Sequence, residues 1–418
     1  MIQADLLIKN AAQLLTMAGH NETPKRGGDL ADPGAVAGGA VAALNGVITA
    51  VGPTRVLEET VALLPHARAY DAWGKVVMPC FVEPHTHLVF GGSRQAEFVM
   101  RLQGKTYLEI MQAGGGILNS VQATAAASFE ELVETARRRL DLLARHGVGT
   151  VEIKSGYGLT VEEELRMLRV VHELDRTHPL DLIPTFLGAH AFPPEYRGRE
   201  DEYVALVTGE MIPRVAEEKL ARFCDVFCDI GVFTLPQARR VLEAGKEFGL
   251  LPKMHADELA SFGGAELAAE LGAVSADHLL KASPAGIAAL AKAGVIAVLL
   301  PGTAFYLNED YAPAREMIRQ GVAVALSTDR NPGSSPTEAT HLILTLACLK
   351  MKMLPAEALA AATINAAHAV GAARRVGSLE VGKQADILVI DAPDYDYIPY
   401  HYGTSLVNAV YKKGRRIA

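Results

Sequence analysis

A closely spaced histidine pair is the first feature of the sequence that has the chemistry of a metal site. His85 and His87 lie in the run Glu83-Pro84-His85-Thr86-His87. On an extended backbone, side chains two residues apart point to the same side, so both imidazoles are able to bind one metal ion. The pair alone is weak evidence, because 13 His in 418 residues give about 0.4 such pairs by chance.

Three other predicted strands end in residues of the same kind. His255 ends one of them and is followed by Glu258. His278 ends the next, directly after Asp277, and Asp329 ends the last. Each residue alone is explained by a buried core histidine or by an Asp that caps a helix. Since the ends of the strands share one rim of a β/α barrel, the combination predicts a metal site.

Such a site would support hydrolysis. Three neutral imidazoles and one carboxylate around a divalent ion leave a positive centre, which lowers the pKa of bound water to about 7. Glu258 comes three residues after His255 and is suited to carry a proton. His278 either holds or deprotonates the water, or polarises the carbonyl group under attack. One ion is favoured over two, because the strand Asp225–Cys228 has no Lys to form a carbamylated bridge.

Further polar residues lie in loops that follow the predicted strands. Arg94 follows the histidine pair, Tyr157 lies in the run Lys154–Gly158, and His190 follows the third strand. A guanidinium is suited to bidentate binding of a carboxylate. An exposed salt bridge explains Arg94 equally well on sequence alone.

The middle of the chain alternates predicted strands and helices. Helix starts are marked by the capping pair Ser128 and Glu131 and by Ser283-Pro284. Eight alternations over about 270 residues are typical of a TIM-type (β/α)8 barrel, and a doubly wound sheet is the alternative. The predicted strands are Val76–Val82, Thr150–Ile153, Leu182–Leu187, Asp225–Cys228, Leu251–Met254, Val274–Ala276, Val295–Leu300 and Val322–Ser327.

The two ends of the chain form a second predicted unit. Asn45-Gly46 separates two short apolar runs, as in a tight hairpin, and Gly414 lies within a second candidate hairpin. The basic residues around Gly414, among them Lys412, are interpreted as a charged sheet edge. We therefore expect an α/β chain in which residues 1–75 and 378–418 form a small β-sandwich domain and residues 76–377 form the catalytic barrel.

Composition limits the partners that we expect. A formal net charge of −8, with 50% hydrophobic and 21% charged residues, is typical of a globular protein and argues against nucleic acid or a membrane as a partner. The densest basic cluster, Arg137–Arg139, is interpreted as the solvated face of a helix. Four Cys do not make a disulfide framework, and the sequence has no recognisable signal peptide, so we expect a cytoplasmic protein.

Several runs resemble the amidohydrolase superfamily in its mononuclear form, and within it the ring-opening hydrolases of histidine breakdown. The resemblance spans nearly the whole chain, and the small domain matches that superfamily's β-sandwich. Glu83 departs from the Asp expected before Pro84. The runs that carry the resemblance are Pro84–Gly92, Lys154–Gly158, Leu187–His190, Ser275–Leu279 and Asn331–Gly333.

The resemblance implies a set of site residues and a cofactor. It implies one zinc or iron ion per chain, and it assigns Glu258 and His278 to proton transfer and to the activation of water. It also implies a homodimer. The implied metal ligands are His85, His87, His255 and Asp329. The implied contacts to substrate or product are Arg94, Tyr157, His190, Glu258, Asn331, Gly333 and Ser334.

The reaction that the resemblance implies is hydrolysis of the small molecule 4-imidazolone-5-propanoate to N-formimidoyl-L-glutamate, by attack of metal-bound hydroxide on the lactam carbonyl. A deaminase of a related heterocycle is the alternative, because it needs almost the same ligands but releases ammonia. A non-catalytic interaction protein on the same scaffold is a third hypothesis. That hypothesis predicts an eroded ligand set, whereas the set in this sequence is complete.

Overall fold

The computed structural model describes residues 1–105, 109 and 114–418, and the strands of these residues form two sheets. Numbered in chain order, the strands are β1 (Ile2–Leu15), β2 (Ala35–Leu44), β3 (Val47–Pro53), β4 (Val61–Asp71), β5 (Val76–Pro79), β6 (Phe81–Glu83), β7 (Val148–Lys154), β8 (Asp181–Ala189), β9 (Phe223–Cys228), β10 (Leu251–Ala256), β11 (Ser275–His278), β12 (Ile296–Leu299), β13 (Val324–Leu326), β14 (Ile387–Ile390), β15 (Val407–Lys412) and β16 (Arg415–Arg416).

Helices fill most of the connections. They are α1 (Thr54–Thr60), α2 (Gln95–Leu102), α3 (Ile117–Ala126), α4 (Phe129–Arg145), α5 (Val161–Thr177), α6 (Glu200–Leu206), α7 (Ile212–Glu217), α8 (Leu235–Glu247), α9 (Gly264–Glu270), α10 (Pro284–Ala293), α11 (Pro301–Leu307), α12 (Ala314–Arg319), α13 (Thr340–Met351), α14 (Pro355–Ala361), α15 (Ile364–Ala369) and α16 (Tyr397–Tyr400). Short 3-10 helices cover Gly27–Ala31 and Pro194–Tyr196, and a π-helical segment covers Val207–Met211. Within the described ranges, no helix is long and apolar enough to cross a membrane.

The strands from β6 to β13 form a parallel barrel. Each strand pairs with the next in chain order, which excludes the doubly wound alternative because that fold reverses direction across the sheet. The strands are buried along almost their whole length, as expected of a parallel sheet covered by helices. The backbone N–H of His87 donates to the carbonyl of Arg330 at 2.9 Å and joins the segments that follow the first and last strands. The predicted TIM-type barrel is confirmed.

The terminal segments build the second sheet around β1. This strand pairs antiparallel with β2 and parallel with β4 and β5, and β14 then pairs with β5 and β15. Apolar side chains of the N-terminal strands pack against those of β14 and β15 in one core, which gives the mixed sheet a sandwich-like interior. The predicted hairpin turns are confirmed, with Asn45 at φ 51°, Gly46 at φ 80° and Gly414 at φ 72°.

One predicted strand is wrong as a single element. The run Val76–Val82 is two strands, because Val76–Pro79 hydrogen-bonds within the terminal sheet and Phe81–Glu83 begins the barrel. A continuous apolar run carries no mark of the residue at which the chain leaves one sheet for another. The division of the chain at residues 75 and 377 stays a prediction.

Two groups predicted to lie on the surface pack against other elements instead, Lys412 fully buried and Arg139 partly buried. Lys412 is not a charged edge, because its ammonium binds Asp386 at 2.5 Å and Asp181 at 2.8 Å and so ties the terminal sheet to β8. Arg139 is not on a solvated face: it lies over the ring of Phe90 at 3.5 Å and donates to the carbonyl of Leu88 at 2.6 Å. Burial lowers the pKa of Arg139 to about 9. Both side chains hold elements together rather than facing water.

Candidate active site

The ends of the barrel strands bring the four predicted metal ligands together. His85 Nε2 lies 3.5 Å from Oδ1 of Asp329, and His87 Nε2 lies 3.7 Å from the same oxygen. The ring centroid of His255 is 4.5 Å from that of His85. All four side chains are buried. The histidine pair, His255 and Asp329 are far apart in the sequence, and the barrel brings them together.

The site has donor atoms that no described protein group satisfies. His85 Nε2, His255 Nε2 and Asp329 Oδ1 are buried and make no hydrogen bond within the described residues. A buried polar atom without a partner costs free energy, and several that converge on one point fit a cation. Imidazole nitrogens with one carboxylate oxygen form a donor set that suits zinc or iron.

His278 belongs to the same cluster. Two overlapping groups have potential ligand atoms within 4.8 Å of one another: His85, His87 and Asp329, and His85, His255 and His278. The geometry therefore leaves His278 able either to bind a metal or to bind the water and substrate beside it. Burial holds the pKa of His85, His87 and His278 well below the usual range, so these imidazoles are neutral, which is the form that binds metals.

A hydrogen bond orients the carboxylate of Asp329, and the backbone of this residue has an unusual conformation. Its Oδ2 accepts a hydrogen bond from Thr303 Oγ1 at 2.6 Å, which leaves Oδ1 directed at the histidines. Its backbone is in the left-handed region at φ 52°, as are Asp257 at φ 49° and His278 at φ 73°. Such conformations are unfavourable for residues other than Gly and are concentrated at functional sites. Here His278 ends β11, Asp257 directly follows β10, and Asp329 lies in the segment after β13.

Glu258 lies beside His278, with Oε1 3.4 Å from Nδ1. Asp229 fixes the loop that carries Glu258, because its Oδ2 accepts from the backbone N–H groups of Glu258 and Leu259, both at 2.8 Å. Burial, and next the charge of Asp329, raises the pKa of Glu258 to about 8. A carboxyl with a pKa near neutrality is suited to both accepting and donating a proton.

Tyr157 and His190 lie against the predicted metal ligands. The ring of His190 stacks on His87 with centroids 5.0 Å apart, and the ring of Tyr157 is 5.8 Å from His87. Gly156 holds His190 in place through a 2.9 Å bond between its carbonyl and Nδ1. Gly156 has φ 108°, and a Cβ there would lie 2.8 Å from His190 Nδ1, so only glycine fits.

Arg94 reaches the loop after β13. Its Nε and Nη2 donate to the two carboxylate oxygens of Glu97 at 2.9 and 2.8 Å, and a Cβ on Gly333 would overlap its Nη1. Glu97 thus occupies the bidentate edge that the sequence suggested for a substrate carboxylate. Nη1 faces the glycine.

Asn331 organises the turn that holds Gly333 and Ser334. Its Oδ1 accepts from the backbone N–H groups of both residues at 2.8 Å, and its Nδ2 donates to the carbonyl of Asp329 at 2.8 Å. The three residues therefore lie together beside Asp329. The side chain of Asn331 is engaged with the protein itself.

Sequence reasoning missed the carboxylates behind the histidines. Asp277 Oδ2 lies 2.6 Å from Nδ1 of His85, and Asp225 Oδ2 lies 3.0 Å from Nδ1 of His255. The available signal was the presence of acids in strands that are otherwise apolar.

Glu83 was noted only as a departure from the family pattern. Its carboxylate accepts from Ser327 Oγ and from the backbone of Thr328, and so joins β6 to the segment before Asp329.

Sequence comparisons show which family this chain resembles. Residues 76–417 match the Amidohydrolase family. The imidazolonepropionase of Geobacillus kaustophilus is 55% identical over 98% of this chain and 97% of its own length. The imidazolonepropionase of Symbiobacterium thermophilum is 54% identical over 100% of this chain and 98% of its own.

Comparisons of structure support the fold. Escherichia coli guanine deaminase has a TM-score of 0.74 at 14% identity, over 99% of this chain and 98% of its own. An adenosine deaminase from Xanthomonas campestris, solved with bound zinc, has a TM-score of 0.72 at 22% identity, over 99% and 93%. At these identities the likeness shows only the fold. With more than half of the chain matched by the family and full-length relatives above 50% identity, the chain belongs to the amidohydrolase family.

Proposed function

We propose that this chain hydrolyses 4-imidazolone-5-propanoate to N-formimidoyl-L-glutamate, as the names of its full-length relatives indicate. The observation that carries the proposal is the convergence of unsatisfied buried donor atoms on His85, His255 and Asp329, directly beside Glu258. This arrangement supports metal-dependent hydrolysis. The relatives supply the identity of the substrate.

We infer that His85, His87, His255 and Asp329 hold one zinc or iron ion. When bound, such an ion lowers the pKa of water and polarises a carbonyl group. The family match and the histidine cluster support a metal, whereas the choice between zinc and iron and the number of ions are part of the proposal.

The protein's own groups then move the proton. Glu258 accepts a proton from the attacking water, and the water oxygen bonds to the lactam carbonyl carbon. The C–N bond of the lactam breaks, and Glu258 returns the proton to the departing ring nitrogen. His278 donates a hydrogen bond to the carbonyl oxygen as negative charge develops there. One water is consumed, and the carbonyl becomes the new carboxylate.

Other residues at the rim bind and orient the substrate in this proposal. Tyr157 and His190 contact the ring from the side of His87. Arg94 directs Nη1 at the propionate, and Gly333, which has no side chain, leaves room for the tail beside that atom. A dedicated cation is needed, because a chain of net charge −8 repels an anionic tail.

The test uses purified, zinc-loaded protein and freshly generated imidazolone propionate. We expect the ultraviolet absorption of the ring to disappear with the protein and to persist with the Asp329→Ala variant. Ammonia assayed in the same tube should stay at the level of the blank. Stoichiometric ammonia would favour the heterocycle deaminase instead. The homodimer and the cytoplasmic location stay predictions.

A further inference from the structure

Behind the predicted metal ligands, the barrel interior contains a cluster of charged side chains that the proposed reaction does not use. The five are Glu152, Lys154, Asp225, Lys253 and Asp277, and each is fully buried. With three carboxylates and two ammonium groups, the cluster carries one excess negative charge. Burying charges is unfavourable unless they are paired, so a cluster of this size points to a role beyond stability.

Two of the carboxylates lie against the Nδ1 atoms of predicted metal ligands. Asp277 lies 2.6 Å from Nδ1 of His85, and Asp225 lies 3.0 Å from Nδ1 of His255. A carboxylate at Nδ1 makes that nitrogen the protonated one and leaves the lone pair of Nε2 free for a metal. The orientation of both rings therefore depends on where these two carboxylates lie.

Lys154 lies between the two orienting carboxylates. Its Nζ is 2.8 Å from Oδ2 of Asp225, 3.5 Å from Oδ2 of Asp277 and 2.8 Å from Oε1 of Glu152. Its backbone N–H also donates, at 2.9 Å, to the carbonyl of Thr86, the residue between the paired histidines. The ammonium of Lys154 thus contacts the carboxylates that support two predicted ligands, His255 and His85.

Lys253 is buried in the same cluster but has different partners. Its Nζ donates to the carbonyl of Pro84 at 2.8 Å and lies 3.4 Å from Oε1 of Glu152. Within the described part of the chain it forms no ion pair with Asp225 or Asp277. It is therefore a matched control for the removal of a buried positive charge.

We propose that Lys154 is a positioning residue of the metal centre: its ammonium fixes Asp225 and Asp277, and these in turn aim Nε2 of His255 and His85 at the ion. The inference rests on the proposed metal centre. It gives a role to the first residue of the run Lys154–Gly158, which the sequence resemblance had singled out only as a motif.

The test compares the zinc affinity of Lys154→Met and Lys253→Met, measured by competition with a chromophoric chelator, and the visible absorption of the cobalt(II)-substituted proteins. We expect Lys154→Met to bind zinc about 10- to 100-fold more weakly, the range typical for lost supports of metal ligands, and to change the cobalt spectrum. Lys253→Met should lower the melting temperature but keep the wild-type affinity and spectrum. Equal losses in the two variants, or no loss in Lys154→Met, would overturn the inference.

A second pair of variants covers the case in which Lys154→Met does not fold. Lys154→Arg keeps the positive charge, but the larger planar guanidinium cannot place its donors at the same point. We expect weaker zinc binding and an altered cobalt spectrum in Lys154→Arg, and neither change in Lys253→Arg. A Lys154→Arg protein with wild-type affinity and spectrum contradicts the inference and leaves the proposed reaction intact. A wild-type protein that binds neither zinc nor iron refutes the metal centre itself.

Discussion

Individual side chains at the barrel rim have environments that suit their proposed roles. Burial raises the pKa of Glu258 to about 8 and that of Asp329 to about 6. Asp329 is buried and accepts a hydrogen bond from Thr303, whereas Glu258 is partly buried and lies beside the imidazole of His278. In the proposed reaction, one carboxyl group thus acts as a metal ligand and the other as the proton carrier.

Asp329→Ala tests the anionic ligand of the centre. The substitution removes the one carboxylate of the predicted ligand set, so turnover should fall by at least 10²-fold and the metal content of the purified protein should fall as well. Metal analysis and the melting temperature are measured on the same sample, to show that the barrel still folds. Asp310→Ala, at an exposed Asp, is the control and should change neither quantity. A variant with full metal and near-wild-type turnover would rule out Asp329 as a ligand.

Glu258→Gln tests the proton carrier. The amide keeps the size of the side chain but cannot exchange a proton, so kcat should fall by about 10²–10⁴-fold. Zinc content should stay close to the wild-type value, because Glu258 is not a predicted metal ligand. KM should change little, because the amide can still form a hydrogen bond to the substrate. If kcat is unchanged from pH 6 to 9, roughly the range around the raised pKa, another group carries the proton.

The sequence predicts the metal ligands but not the charged side chains that lie behind them. A histidine pair two residues apart and acids at strand ends are visible in the residue order. Lys154, Asp225 and Asp277 have no such spacing, because they meet only across the interior of the closed barrel. Their presence in apolar strands was the one available sign.

Helix α2 and its flanking residue place the proposed binding group for the substrate tail. Arg94 immediately precedes the helix, and Glu97 in its first turn holds the guanidinium by two hydrogen bonds. Arg94→Lys cannot reproduce this fork, so we expect kcat/KM for imidazolone propionate to fall by the equivalent of about 1–3 kcal/mol. An imidazolone without the propionate is the control substrate, and its kcat/KM should hardly change. Equal losses on both substrates would mean that Arg94 acts through the fold.

Two lysines at the contact between β15 and β8 allow the contribution of a buried ion pair to stability to be compared with that of an exposed one. Lys412 and Lys413 both bind Asp181 at 2.8 Å, but the side chain of Lys412 is 2% exposed and that of Lys413 is 52% exposed. Lys412→Met leaves Asp386 and Asp181 without their buried partner, so urea unfolding should show a loss of about 3–5 kcal/mol. Lys413→Met should lose less than about 1 kcal/mol. Similar losses in both variants would contradict this account of the junction.

Element boundaries were predictable where local chemistry marks them. Ser128 and Glu131 form the expected reciprocal capping bonds, and Ser283 caps the helix that begins at Pro284. The change of sheet within Val76–Val82 was not predictable, because both of its strands are equally apolar and buried. Pairing with β1 and β14, which are remote in sequence, determines where the first strand ends.

At the scale of the whole molecule, barrel and terminal sheet meet around a histidine pair. His146, which ends α4, stacks on His341 of α13 with ring centroids 5.3 Å apart, next to Ile390 and Leu406. Burial, and next the neighbouring His146, lowers the pKa of His341 to about 4, while Glu338 opposes the shift at His146. The folded protein therefore favours the neutral form of both rings.

The stability that this pair contributes should depend on pH. An unfolded chain protonates His341 near pH 6.5, roughly its ordinary value, whereas the folded chain does so only near pH 4. The contribution is therefore present above pH ~6.5 and is lost as the pH falls towards 4. When the pH is lowered from about 6.5 to about 4, the melting temperature of His341→Phe should fall less than that of the wild type. His66→Phe, at an exposed position, should follow the wild type, and parallel curves for all three proteins would exclude the pair as a cause.

In the proposed reaction, the protein adds one water across the lactam bond of an imidazolone ring and releases nothing. The mass of the product formed from imidazolone propionate by the zinc-loaded protein tests this, with ammonia determined in the same sample. We expect a single product heavier than the substrate by one water, with no ammonia above the blank. A product that has exchanged an amino or imino group for oxygen, together with equimolar ammonia, would contradict it.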